Sequence, residues 1–144
     1  MEYWEPPPDD DALARDVIGA AIEVHRLLGP GFLESVYERA LTIELEERGI
    51  SFARQSTIFL QYKGRAVGEH RLDLLVGERL VVEIKSLQMG RAAQHVVQVF
   101  SYLTATDLNL GLLLNFGMPT PREGIKRVLR RPSPLNHRTN GLPY

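Results

Sequence analysis

Apolar residues recur along the chain first at helical spacing and then at strand spacing. Leu13, Val17, Ala20, Val24 and Leu27 lie three or four residues apart, the signature of one buried helix face. Gly29-Pro30-Gly31 ends that helix. Leu33, Val36, Tyr37, Ala40, Leu41 and Leu45 repeat the pattern and predict a second helix over about 32–48, closed by Gly49. The texture then changes. Residues 51–62 alternate weakly around Ile58, Phe59 and Leu60 and read as a strand, with a turn at Lys63-Gly64. Residues 70–76 and 80–85 read as two more strands joined by a tight hairpin at Gly77-Glu78. A helix is predicted over 91–105, a buried strand over 108–116 and a last strand over 124–130.

The order α-α-β-β-β-α-β-β predicts an α/β fold, one mixed central sheet flanked by helices. The first three strands can meander. The strand after the third helix needs a crossover, so it is expected parallel to the third strand. The domain is expected over 12–130. It is preceded by an acidic, proline-rich tail (1–11), in which Asp9, Asp10 and Asp11 are helix-cap candidates, and followed by a tail (131–144).

Composition narrows this picture. A chain of 144 residues is one ordinary domain, and 44% apolar residues suffice for a core. The absence of cysteine excludes a disulfide scaffold, a thiolate metal site and a cysteine nucleophile, and fits a reducing cytoplasm. No apolar run approaches the ~18 residues of a membrane span, so no membrane partner is expected. Residues 1–11 do not read as a secretory signal. The net charge of -1 excludes a bulk polycation. Bases nevertheless gather near the C-terminus at Arg122, Lys126, Arg127, Arg130, Arg131 and Arg138. They form either a phosphate-binding patch or a solvated strand end.

Three segments carry candidate chemistry. In Leu72–Lys85, Asp73 lies on one strand of a hairpin, while Glu83 and Lys85 lie two apart on the other and share a face. Charges in an otherwise apolar strand need a partner, and two neighbouring carboxylates suit a hard divalent cation. So short a pattern is, by itself, more often a surface Lys–Glu pair. In Gly31–Tyr37, Glu34 and Tyr37 share a helix face, and Glu34 can equally serve the helix dipole. In 91–102, Arg91, His95, Gln98 and Tyr102 oppose an apolar face of Ala92, Val96, Val99, Phe100 and Leu103. They are either a solvated stripe or groups lining the cleft of Glu83. His25 reads as a structural residue at a helix end, and His70 and His137 as surface residues.

Together these segments resemble the PD-(D/E)xK nuclease superfamily, a restriction-endonuclease-like and RecB-like fold, and within it the small bacterial GxxExxY proteins. The name motif stands as Gly31-Phe32-Leu33-Glu34-Ser35-Val36-Tyr37, with Gly29-Pro30 before it and Gln55 and Tyr62-Lys63-Gly64 after it. The nuclease signature stands as Asp73, then Glu83-Ile84-Lys85, with Leu72 where a proline often precedes the first acid. Gln98 and Tyr102 resemble the Q-x-x-x-Y element of RecB-like members. The likeness implies a DNA-hydrolysing enzyme using Mg²⁺ or Mn²⁺. Asp73, Glu83 and the Ile84 carbonyl would be metal ligands, Glu34 a direct or water-mediated ligand, and Lys85 the group positioning the attacking water. Tyr37, Arg91, His95, Gln98, Tyr102, Lys126 and Arg127 would support the site or bind nucleic acid. Cutting both strands at once would imply a homodimer. The alternative is a non-catalytic nucleic-acid-binding module on the same fold.

Overall fold

The computed structural model describes residues 4–88 and 92–132. Helix α1 (Pro8–Leu28) begins inside the segment expected to be a tail. Its N-cap is Pro7, with no side-chain cap, so Asp9, Asp10 and Asp11 are not caps. They occupy the first turn, where the exposed N–H groups favour negative charge. Helix α2 (Glu34–Glu47) follows the Gly29-Pro30-Gly31 break. Strands β1 (Phe52–Tyr62), β2 (Arg65–Val76) and β3 (Leu80–Lys85) then form an antiparallel meander. Helix α3 (Ala92–Thr106) crosses over to β4 (Leu110–Asn115), which pairs parallel to β3 as the crossover length requires. A single turn, α4 (Pro121–Gly124), leads into β5 (Ile125–Leu129), antiparallel to β4. The sheet order is β1-β2-β3-β4-β5.

Two apolar layers sandwich the sheet. Helices α1 and α2 cover one face through Val17, Ala20, Val24, Tyr37, Leu41 and Leu45, against Leu74, Val82, Ile84 and Leu112. Helix α3 covers the other through Val99, Tyr102 and Leu103, against Leu72, Val81 and Leu113. Strand β3 is buried on both faces, which explains why its apolar run does not alternate. Strand β2 is longer than expected. Its outer half has no neighbour but β1 and is largely exposed, so its polar residues read as loop in the sequence. The turn α4 was not predicted. It rests on Gly124, where an added Cβ would meet the Asn115 carbonyl, and on Thr120, whose Oγ1 accepts from Glu123 N.

Candidate active site

The irregularity that builds the site lies at Asp73. Leu72 joins the layer under α3, whereas Leu74 joins the layer under α1 and α2. A regular strand would put both on one face. The reversal occurs at Asp73, opposite Gln55 of β1, which adopts φ 51 and drops out of the strand pairing. The β2–β3 pairing stops at Leu74↔Val82. Beyond it, side chains replace the ladder. Asp73 Oδ2 accepts from Ile84 N at 2.8 Å, and Glu83 Oε1 accepts from Asp73 N at 3.3 Å. Each carboxylate is thus fixed by the other's strand, and the two strands part around them.

Burial makes this pair costly. Glu83 is 4% exposed, and its pKa is pushed up to about 7, first by burial and then by the charge of Asp73. Asp73 is shifted in the same direction, chiefly by burial, with the charges of Glu38 and Glu34 adding to it. The Lys85 ammonium opposes both shifts. A pocket of about 160 Å³ opens beside Asp73, lined by Glu34, Ser35, Glu38, Gln55, Asp73 and Ile84.

Helix α2 brings Glu34 to the pocket rim, where it is exposed rather than set in the buried stripe. The loop before it is anchored twice. The Tyr37 hydroxyl donates to Gly29 O at 2.5 Å and accepts from Phe32 N at 3.1 Å. Ser86, just past Lys85, donates to Phe32 O at 2.5 Å. Tyr37 itself is fully buried and stacked on Phe116, so it sets the entry of α2 and does not face the pocket. Glu38, one turn after Glu34, was not singled out from the sequence. It is buried at the pocket and accepts from Arg54 Nη2 at 2.7 Å and Gln55 Nε2 at 2.8 Å. Its i,i+4 relation to Glu34 was the available signal.

The α3 side differs from its predicted faces. Phe100, expected in the core, is exposed, and Tyr102, expected on the polar stripe, is buried. The Tyr102 ring stacks on His70 with centroids 4.0 Å apart, and its hydroxyl lies 3.3 Å from His70 Nδ1. His70 is therefore no surface residue. Its Nε2 is buried and has no partner among the described residues. Burial and the charges of Glu83 and Asp73 raise the Tyr102 pKa to about 12, and Gln98 reaches the same hydroxyl. His95 is half-buried on α3. Arg91, His137 and most of the C-terminal tail lie outside the described residues. Lys126 and Arg127 stand on β5, two strands beyond β3, and are not brought to Asp73. Arg127 is paired with Asp11, and Arg130 is buried and bonded to Asp107 at 3.0 Å.

The donor chemistry at Asp73 and Glu83 fits a hard divalent cation. It offers two carboxylates forced together in a gap, the Ile84 carbonyl directly after Glu83 in sequence, and Glu34 at the rim. Among the described residues, no three histidine or acidic side chains are gathered tightly enough to hold an ion by themselves. A main-chain carbonyl or water must complete such a site. A mixed sheet whose central strands carry Asp, then Glu-x-Lys, at the point where they part defines a class of phosphodiester-cutting proteins. The family described as the PD-(D/E)XK nuclease superfamily matches residues 11–128, and the chain belongs to it. No curated protein and no solved structure matches the chain. No described helix is long and apolar enough to cross a membrane.

Proposed function

We propose that this protein is a metal-dependent nuclease of the GxxExxY type that hydrolyses phosphodiester bonds of DNA in the cytoplasm, with Mg²⁺ or Mn²⁺ as its ion. The observation that carries the reading is the pairing of buried Glu83 with half-buried Asp73, each carboxylate held by the opposing strand, with Lys85 two residues beyond Glu83. Asp73, Glu83 and the Ile84 carbonyl would hold the ion, with Glu34 contributing directly or through water. When bound, such an ion supplies Lewis-acid polarisation of the phosphate and a lowered pKa for water. The chain's own residues do the rest. Loss of the Glu83 proton readies the pair for a cation, because the cation replaces the proton as the neutralising charge. Lys85 orients the attacking water or balances charge developing on the phosphate, an effect largest in the transition state. Gln98, Tyr102 and His70 brace the α3 side of the gap.

That no three acidic or histidine side chains converge among the described residues favours a second reading, a non-catalytic nucleic-acid-binding module. Calorimetric titration with Mn²⁺ separates the two. Native protein is expected to bind the ion and Asp73→Asn to lose binding by at least tenfold. Equal heats from native protein and Asp73→Asn/Glu83→Gln would sink the metal-site reading.

A further inference from the structure

Strands β1 and β2 run together from Phe52↔Val76 to Tyr62↔Arg65, yet β3 pairs with β2 only over Leu74–Val76. Past Asp73 the two strands therefore stand as a two-stranded arm. One face is covered, for the Ile58↔His70 pair packs towards α3, with His70 stacked on Tyr102. Alternation puts Thr57↔Arg71 and Phe59↔Glu69 on the opposite face, which leads directly to Asp73. That face and the arm's tip leave Phe59 65%, Tyr62 64% and Val67 62% exposed. A two-stranded ribbon is marginal in water, and exposed aromatics on one burden it further.

The arm also carries more bases than acids in a chain whose net charge is -1. Lys63, Arg65 and Arg71 form no ion pair among the described residues, and Glu69 is the single acid between Phe52 and Leu72. The tip turn places Lys63 at φ 51 and Gly64 at φ 75, a two-residue hairpin geometry in which asparagine or glycine is usual. The lysine held there lays its Nζ over the Tyr62 ring, 5.4 Å from the centroid, so a cation and an aromatic face sit together at the tip. By contrast, the C-terminal bases expected to bind phosphates are engaged at Arg127 and Arg130.

Resting on the nuclease reading for the ligand class, we propose that the β1–β2 arm is a docking surface for an unpaired segment of the nucleic-acid substrate, which stacks on Tyr62 and Phe59 while Lys63, Arg65 and Arg71 hold its phosphates. Interleaved aromatics and cations are what single strands need, because every base has a stackable face and every link a charge. Duplex DNA buries its base faces and could use only the cations. Arg65 lies eight residues from Asp73, about 26 Å along an extended strand, or about eight stacked nucleotides. The arm thus sets a minimum length for good substrates and holds the strand on one side of the scissile bond.

The test is fluorescence anisotropy with an oligonucleotide of about twenty nucleotides, more than twice the arm's span. It is presented as single-stranded DNA, as single-stranded RNA and as a DNA duplex, with Ca²⁺ in place of the catalytic ion. Tyr62→Ala is expected to weaken single-strand binding roughly 5- to 150-fold and duplex binding less than twofold. Lys63→Ala/Arg65→Ala is expected to lower the log–log salt slope on single strands by about 1.4. Unchanged affinity and slope in both variants, or equal losses on single strand and duplex with Tyr62→Ala, would overturn the proposal. Hydrolysis of bis-p-nitrophenyl phosphate, too short to reach the arm, reads the nuclease activity separately, with Asp73→Asn as the blank. Arm-dependent single-strand binding in a native protein that leaves this diester intact would uphold the arm and remove the nuclease.

Discussion

Glu83 shares its gap with Asp73, and Lys85 is the cation that offsets their charge. The consequence for stability has a definite sign. Between its ordinary pKa of 4.5 and about 7, folded Glu83 keeps a proton that the unfolded chain releases. Its contribution to stability is therefore fully present below 4.5 and lost as pH rises through about 7. The raised Asp73 acts in the same direction. Asp11 and Glu23, whose pKa values are lowered by arginine partners, act at lower pH and with opposite sign. Urea unfolding of chelator-treated protein is expected to show a loss on the order of 1–3 kcal/mol from pH 4.5 to 7. Glu83→Gln should remove most of that slope, and a flat native profile would contradict the burial argument. Saturating Mn²⁺ should restore stability at pH 7, because an ion that binds only the folded state shifts the equilibrium by mass action. Lys85→Ala is expected to lower kcat by roughly 10²–10³ with little change in KM. A surface partner of Glu83 would cost only about 0–1 kcal/mol of stability and leave the rate alone, so comparable rates would remove Lys85 from the site.

Elements place these residues, and some placements are legible in the sequence. The boundaries of β3 follow from its apolar run, and the parallel β3–β4 pair follows from the crossover length. The faces of α3 were misread because Tyr102 and Phe100 are similar in bulk, and helical periodicity does not say which of two aromatics the sheet will cover. The half-turn reversal at Asp73 left no trace in the pattern, since Leu72 and Leu74 look like one face of one strand. Glu38 went unnoticed for a related reason: a buried glutamate is recognisable only when Arg54 and Gln55 are seen to reach it from β1. Tyr37 was legible as a residue that matters, and in the structure it anchors the loop before α2. Tyr37→Phe removes the hydroxyl that serves Gly29 O and Phe32 N, and leaving these part-buried groups unpaired costs about 1–3 kcal/mol in all. Chemical denaturation should show a loss of that order, accompanied by weaker Mn²⁺ binding as the entry to α2 loosens around Glu34. A variant as stable as the native protein would mean that water or a rearranged loop replaces the hydroxyl.

At the scale of the molecule, α1 ties the edge strand β5 to the β2–β3 turn. Asp11 is paired with Arg127 of β5 and Asp10 with Arg79 in the β2–β3 turn, so the first helix belongs to the domain from Pro8 onward. The two layers and their helices hold β3 rigid, and the exposed β1–β2 arm extends from that rigid centre. Asp73 lies at the junction of the two. A dimer would bring two such junctions together, which is what simultaneous cutting of both strands requires. The central claim is that the junction hydrolyses phosphodiesters, and its most direct measurement is cleavage of a labelled DNA strand with Mn²⁺ by native protein and by Asp73→Asn, with melting temperatures matched. Native protein is expected to cut, to stop when the ion is chelated or replaced by Ca²⁺, and to lose at least 10³ in rate with Asp73→Asn. Cleavage that persists in Asp73→Asn, or no cleavage of DNA or RNA by native protein with either Mg²⁺ or Mn²⁺, would contradict it.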